Sequence, residues 1–338
     1  VMSRETAGAL IEAAFAAADE HGAVSFAFQG GEPTVAGLDF FRDFVAMVSA
    51  FRPLDRQVSY ALQTNGMALN EEWTHFLKEN QFLVGLSVDG YRELHDHYRV
   101  DTKGEGTYGR VAKALALLQK FEVETNLLCV VTGQCAKHPQ KTYASMKKLG
   151  VRYLQFIPCL DPLEEQRGRA VYSLTPKLYG DFLCGLFDQW YRDWAEGHYT
   201  SVRLFDDYVH LAMGEPASTC AASGGCGSYF VVEADGGVYP CDFYVLDRWR
   251  MGDVHTDSLK QLANDETASE FLRQGRLRPS RCASCRWVPL CNGGCRRDWT
   301  GGADDTENYY CESFRRFFEY AADRIGEIAW QERRSRMR

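Results

Sequence analysis

Cys282, Cys285, Cys291 and Cys295 stand in the order Cys-x2-Cys-x5-Cys-x3-Cys, with Cys311 beyond them and Cys220-x5-Cys226-x14-Cys241 before them. A two-residue gap lets both thiolates of a loop face one metal or cluster, and eight such ligands suit two four-thiolate sites. The Ala-rich stretch 7–18 carries Glu12 and lacks a basic leader, so it does not read as a secretion signal. With 12 cysteines in the chain and disulfide frameworks confined to oxidising compartments, a cytoplasmic location with metal or redox chemistry is the expectation. Zinc and iron with inorganic sulfide satisfy the spacing equally well. No histidine falls within the Cys282 to Cys295 run, which argues against mixed Cys and His ligation and against a His-based triad; His95 and His97 read as surface groups flanking a loop.

A second group of residues sits at the ends of apolar runs. In FQGGEPT (28–34), Gly30 and Gly31 let a ligand approach the backbone, Glu32 is an acceptor for a ligand ammonium, and Pro33 fixes the exit. Gln63-Thr64-Asn65-Gly66 and Ser87-Val88-Asp89-Gly90 close two further runs in the same way, and Arg99 and Leu160 follow later ones. Ligands sit at the carboxyl ends of parallel strands, so these residues predict a pocket. Asp242 directly follows Cys241, which places a carboxylate beside any cluster held there, where a general base is useful.

The elements that must carry these residues are legible from period and composition. VSFAF (24–28), VSYAL (58–62), FLVGLS (82–87), TNLLCVV (125–131) and YLQFI (153–157) are apolar runs rich in branched and aromatic residues, as in strands buried on both faces. Between them the three- and four-residue spacing predicts helices near 38–51, 71–79, 107–120 and 138–149. Repeated βα units imply a parallel sheet, open or closed into a barrel. A helix over 3–20 precedes any strand, which suggests a strand missing upstream. A long amphipathic helix is expected at 175–196, a linker at 198–219, a hairpin over 231–241 turning at Asp235-Gly236-Gly237, and a helix again at 312–331. The loop-rich stretch between has few apolar residues, so bound metal is expected to supply part of its stability.

Composition narrows the functions. Hydrophobic residues make up 45% and charged residues 25% of 338, within the globular range. No window approaches a membrane span. A net charge of −8 repels a phosphate backbone, so nucleic acid is not an expected partner. Arg333, Arg334, Arg336 and Arg338 read as a solvated basic tail.

Taken together, FAFQGGEPT, LQTNG, GLSVDG, LLCVVT, PCLDPL, VYPCDFYVLDRWR and the Cys282 to Cys295 run resemble the anaerobic sulfatase-maturating enzymes, radical S-adenosylmethionine (SAM) proteins with a SPASM extension. The resemblance runs from residue 1 to about 325. It implies an α/β fold: a partial (β/α)6 barrel over 1–197, a SPASM domain with two auxiliary [4Fe-4S] clusters over 220–311, and a C-terminal helix with tail over 312–338. By the same resemblance Cys220, Cys226, Cys241 and Cys295 hold one cluster and Cys282, Cys285, Cys291 and Cys311 the other, although exchanging Cys295 with Cys311 violates no spacing. Gly31, Ser87, Arg99 and Leu160 contact SAM, together with the Gly30 and Glu32 turn; Gln29 faces the substrate peptide and Asp242 is the base. The implied reaction oxidises a Cys or Ser in a sulfatase Cys/Ser-x-Pro-x-Arg motif to Cα-formylglycine. The implied partners are an unfolded or nascent sulfatase polypeptide and an electron donor such as flavodoxin or ferredoxin.

One departure stands out. The family's Cys-x3-Cys-x2-Cys motif, which holds the cluster that cleaves SAM, has no counterpart among these residues. Its place is after the first barrel strand, the one the opening helix marks as missing, so the expectation is a chain that lacks its N-terminal segment, the third cluster with it, and cannot by itself start the reaction. The rival expectations are another SPASM peptide maturase forming thioether or carbon–carbon crosslinks, a non-catalytic iron–sulfur electron carrier, and a zinc-stabilised scaffold.

Overall fold

The five apolar runs become strands because branched and aromatic side chains fill both faces of a sheet covered by helices. The computed structural model describes residues 1–20, 22–51, 56–163, 165–227, 229–301 and 306–336. In chain order it contains α1 (Arg4–Ala17), β1 (Val24–Phe28), α2 (Leu38–Phe51), β2 (Val58–Thr64), α3 (Glu71–Glu79), β3 (Phe82–Ser87), α4 (Arg92–Tyr98), α5 (Tyr108–Lys120), β4 (Thr125–Val131), α6 (Pro139–Lys147), β5 (Tyr153–Pro158), α7 (Pro176–Ala195), β6 (Ser201–Val202) and α8 (Arg203–Ala212). The strands lie in one sheet in the order β1 to β6. Spatial order that follows chain order has no reversal point, which is the winding of a barrel rather than of a doubly wound sheet. Side chains start the helices: Ser3 accepts from the Thr6 amide, Asn70 from Trp73, and Thr175 from Leu178 with Pro176 at the first helical position. No described helix is long and apolar enough to cross a membrane.

Contacts gather the chain into two units. The first comprises Val1–Leu86, Lys113–Thr125 and Gly227–Gly275. Its main core joins Ala7 and Ile11 of α1 to Val24 and Phe26 of β1 and Phe44 and Val48 of α2. The adjoining face of α1, with Ala9, Leu10, Ala13 and Ala17, covers a second core of Val238, Val254, Leu259 and Leu262. That core lies under a three-stranded antiparallel sheet of β7 (Val231–Val232), β8 (Gly237–Tyr239) and β9 (Gly252–Asp253). The expected hairpin is present, but the Glu233 amide donates to the Gly237 carbonyl at 2.9 Å, so Gly237 already belongs to β8 and the turn closes one residue earlier, with the Gly236 amide donating to the Glu233 carbonyl at 3.0 Å and Gly236 at φ 96°.

The second unit comprises Ser87–Ala112, Asn126–Cys226 and Arg276–Arg338. α7 lies along the helix Cys311–Arg336, and Phe187, Trp190, Phe205, Phe317 and Phe318 are buried between α7, α8 and that helix. Residues 198–219 are not a linker, because they hold β6 and the amphipathic α8, whose Phe205, Tyr208 and Val209 are buried. Nor are Arg333, Arg334 and Arg336 a free tail. They continue the C-terminal helix, where Arg333 donates to the Met213 carbonyl and Arg336 pairs with Glu215. Arg338 lies outside the described residues.

Candidate functional site

In the first unit, β1 runs out into Gln29, Gly30 and Gly31. Gly30 and Gly31 have φ of 95° and 52°, and a Cβ on either would meet nothing within 4 Å. Their need for glycine is therefore conformational, and the backbone there is exposed to an approaching ligand, as a bound cofactor requires. Glu32 is spent differently from the expectation. Its Oε1 accepts from the Thr34 amide (3.1 Å), the Thr34 hydroxyl (2.6 Å) and the Thr64 hydroxyl (2.8 Å), and its Oε2 from the Asn65 amide (2.7 Å). A carboxylate has about four lone-pair sites, so Glu32 mainly staples the end of β1 to the end of β2, leaving Oε2 and the neighbouring backbone for a ligand ammonium.

Gln29 and Asp242, 213 positions apart, are brought together: Gln29 Nε2 donates to Asp242 Oδ2 at 2.7 Å. Asp242 opens a short 3-10 turn, Asp242–Tyr244, and is solvent-exposed. Its other oxygen, Oδ1, accepts from the Tyr229 hydroxyl at 2.8 Å, and that hydroxyl also lies 3.4 Å from Cys241 Sγ. Burial, with Cys241 and Asp242 beside it, pushes the Tyr229 phenol well above its ordinary value, so it stays protonated and donates. Nothing in the spacing of the Gly-rich segment around Tyr229 singles it out.

In the second unit, Ser87 ends β3 and the turn after it carries a buried ion pair. Arg99 donates from Nε to Asp89 Oδ2 (2.6 Å) and from Nη2 to Oδ1 (3.3 Å), and Oδ1 also takes the Val130 amide (2.9 Å). The side chain of Asp89 is 6% exposed and that of Arg99 27%, so the guanidinium is anchored from within while part of it stays open to solvent. Leu160, just past β5, is half-buried.

His95 and His97 lie on α4, not in a loop, and only His97 is a surface group. His95 is completely buried: its Nδ1 accepts from the Asp89 amide (3.2 Å), its Nε2 meets the Thr107 hydroxyl (3.1 Å), and Thr107 donates on to the Arg99 carbonyl (2.8 Å). An accepting Nδ1 places the proton on Nε2, so the neutral ring supports both partners of the Asp89–Arg99 pair. Sequence period cannot reveal this, because the residues covering His95 come from distant positions.

Burial holds the His95 pKa down at about 4 against an ordinary value of 6.5. Between those values the unfolded chain binds more protons, so stability rises with pH and is lost as pH falls from 6.5 toward 4, by up to about 3 kcal/mol. About 2 kcal/mol of this should appear between pH 7 and pH 5. Denaturant midpoints at those two pH values should separate less in His95→Gln, which keeps a donor and an acceptor but does not titrate.

No disulfide joins the cysteines of the described residues. Cys220, Cys226 and Cys295 belong to the second unit and Cys241 to the first. Within the second unit, Cys282, Cys285, Cys291 and Cys311 line one cavity of about 350 Å³, together with Trp287, Phe314 and Phe318. Cys282 and Cys285 come from a tight turn in which the Cys285 amide donates to the Cys282 carbonyl (3.2 Å). Cys291 ends the short helix Val288–Cys291, after which Asn292, Gly293 and Gly294 all have positive φ. The Gly293 carbonyl takes the Trp299 indole and the Asn308 amide, each at 2.9 Å, and a Cβ on Gly294 would lie 2.5 Å from Asn308 Nδ2, so only glycine fits. Cys311 opens the C-terminal helix, and burial pushes its thiol up.

Among the described residues no three His, Cys, Asp or Glu side chains are gathered closely enough to hold a single ion. Zinc needs thiolates about 2.3 Å from the metal, whereas four thiols around a cavity suit a larger iron–sulfide core. Cys311, not Cys295, is the fourth cysteine of that lining.

The Radical SAM superfamily description matches residues 4–146, and the iron-sulfur cluster-binding domain SPASM matches residues 224–286. Fold and site define a radical SAM oxidoreductase that uses SAM and [4Fe-4S] clusters. A cysteine-type anaerobic sulfatase-maturating enzyme of Clostridium perfringens is 44% identical over 313 residues, 92% of this chain and 85% of that protein. A serine-type counterpart from Bacteroides thetaiotaomicron is 30% identical over 317 residues, 88% of this chain and 76% of that protein. The solved structure of native anSMEcpe with bound AdoMet and Kp18Cys peptide superposes with a TM-score of 0.95 at 43% identity, covering 98% of this chain and 91% of that one. The chain belongs to the anaerobic sulfatase-maturating enzymes.

Proposed function

We propose that this enzyme oxidises the cysteine of a Cys-x-Pro-x-Arg segment in an unfolded sulfatase to Cα-formylglycine, in the cytoplasm, with electrons from a small carrier such as flavodoxin or ferredoxin. The observation that carries the reading is the Gln29–Asp242 hydrogen bond of 2.7 Å, which brings together the two side chains to which this reading gives the peptide-facing and base roles. The 44% identity to a cysteine-type enzyme against 30% to a serine-type one favours cysteine as the target.

In this reading Ser87, Arg99, Leu160 and the Gly30–Gly31 backbone hold SAM, with Asp89 and His95 fixing Arg99 from behind. SAM with a reduced [4Fe-4S] cluster supplies a radical able to remove one hydrogen from the substrate Cβ, and the SPASM clusters offer an acceptor for the second electron. Cys220, Cys226, Cys241 and Cys295 hold the first of these, and Cys282, Cys285, Cys291 and Cys311 the second, within a SPASM region of 220–311 that follows a barrel over 1–197. Asp242 takes the substrate thiol proton at Oδ2 or Oδ1, leaving a thioaldehyde that water hydrolyses to the formyl group with release of hydrogen sulfide, and Gln29 orients the peptide over it.

The test is mass spectrometry of two peptides, one Cys-x-Pro-x-Arg and one Ser-x-Pro-x-Arg, after anaerobic reaction with SAM, a reductant and a form of the enzyme that also carries the Cys-x3-Cys-x2-Cys motif. The aldehyde is expected from the Cys peptide at a rate at least tenfold above that from the Ser peptide, a difference of about 1.4 kcal/mol in barrier. No aldehyde from either peptide rejects the reading.

A further inference from the structure

The Tyr229 hydroxyl has one proton and two acceptors within reach: Asp242 Oδ1 at 2.8 Å and Cys241 Sγ at 3.4 Å. Cys241 Sγ in turn lies 3.5 Å from Asp242 Oδ1, so the three groups form a closed triangle. The charged, shorter oxygen contact holds the proton most of the time, because a hydrogen bond to a carboxylate is about twice as strong as a neutral one. The sulfur still feels the hydroxyl dipole. Gln29 occupies the opposite oxygen of Asp242 at 2.7 Å, so the carboxylate is gripped from both sides. Without Tyr229 an exposed carboxylate on a three-residue turn is held by a single side-chain donor and regains rotamer freedom.

We propose that Tyr229 is a positioning residue that fixes Asp242 against the substrate and at the same time polarises the Cys241 thiolate. This rests on the proposed roles of Asp242 as base and Cys241 as cluster ligand. Two consequences follow from one hydroxyl. Its loss lets the base drift, and misplacement on the scale of an ångström costs up to about a hundredfold in rate. Its loss also removes a dipole pointed at a cluster sulfur, and hydrogen bonds to ligand sulfurs are among the determinants of cluster potential. A donor there stabilises the more negatively charged reduced state, so the potential falls when it is removed.

The experiment uses a form of the enzyme that also carries the Cys-x3-Cys-x2-Cys motif, anaerobically reconstituted, and compares it with Tyr229→Phe, which keeps the ring and its packing. Iron and sulfide contents are expected to be equal. Turnover of the Cys peptide should fall about 10- to 100-fold in kcat with KM for peptide unchanged, and the midpoint potential of one auxiliary cluster, followed by electron paramagnetic resonance, should move to a more negative value while the other stays in place. Equal kcat and equal potentials with full cluster content overturn the proposal, and so does a rise in KM with kcat preserved. A shifted potential in an enzyme whose wild type makes no formylglycine keeps the Tyr229 contact and discards the sulfatase reading instead. Should Tyr229→Phe assemble poorly, Tyr229→His, which restores a polar donor, must recover cluster content and part of the potential; failure to do so overturns the proposal as well.

Discussion

In an enzyme that also carries the Cys-x3-Cys-x2-Cys motif, Asp242→Asn is expected to lower formylglycine production by about two to four orders of magnitude, the span that a positioned general base contributes. The substitution preserves shape and removes the acceptor for the substrate proton. It also disturbs the site, because Asp242 faces two donors, Gln29 Nε2 and the Tyr229 hydroxyl, and an amide has only one oxygen to meet them. Gln29 has to turn its amide over so that Oε1 accepts from the new Nδ2 while the Tyr229 hydroxyl keeps the remaining oxygen. Iron, sulfide and SAM affinity should remain at wild-type levels, since the SAM contacts proposed for Ser87, Arg99 and Leu160 do not include this carboxylate. Single-turnover mass spectrometry under anaerobic conditions measures the effect, and unchanged turnover with intact clusters removes Asp242 from the mechanism.

The second large effect is on stability. Neither the turn Ser280–Ser284 nor the helix Val288–Cys291 buries a single residue, so this stretch has little hydrophobic core of its own. Its order is expected to come from the group that Cys282, Cys285, Cys291 and Cys311 are proposed to hold, in the manner of small metal-stabilised modules. Burial pushes the Cys291 thiol up to about 12. Cys291→Ser should therefore remove roughly four irons per chain, one [4Fe-4S] cluster. It should also raise amide exchange over 276–301 and the first turn of the C-terminal helix by orders of magnitude. The core of α1, β1 and α2 should keep its protection. Full iron content with unchanged exchange would show that another side chain serves as the fourth ligand.

Much of this architecture is legible in the chain because its signals are local. The runs at 24–28, 82–87 and 125–131 coincide with β1, β3 and β4 residue for residue, since a strand buried on both faces must be apolar throughout. β6 escapes because two residues, Ser201 and Val202, carry no period, and α8 after it is concealed by the assumption that a segment between two domains is a linker. The chemistry divides in the same way. Cysteine spacing announces a cluster, but it does not show that Cys311 lines the same cavity as Cys282, Cys285 and Cys291, with Asn292, Gly293 and Gly294 at positive φ on the way to it. Glu32 looks like a ligand acceptor in its heptapeptide and only becomes a staple once Thr64 and Asn65 arrive from 32 and 33 positions away. His95 and Tyr229 have meaning only through neighbours that no motif connects.

The double duty of α1 limits how such proteins can be recombined. One helix seals the core beneath β1 with Ala7 and Ile11 and roofs Val238, Leu259 and Leu262 with Ala9, Leu10, Ala13 and Ala17. An iron–sulfur cassette excised at 220 and grafted onto a foreign barrel would leave that roof behind and expose a greasy patch that invites aggregation. Exchange of such cassettes between lineages therefore has to carry the opening helix along, or rebuild its small-residue face in the recipient.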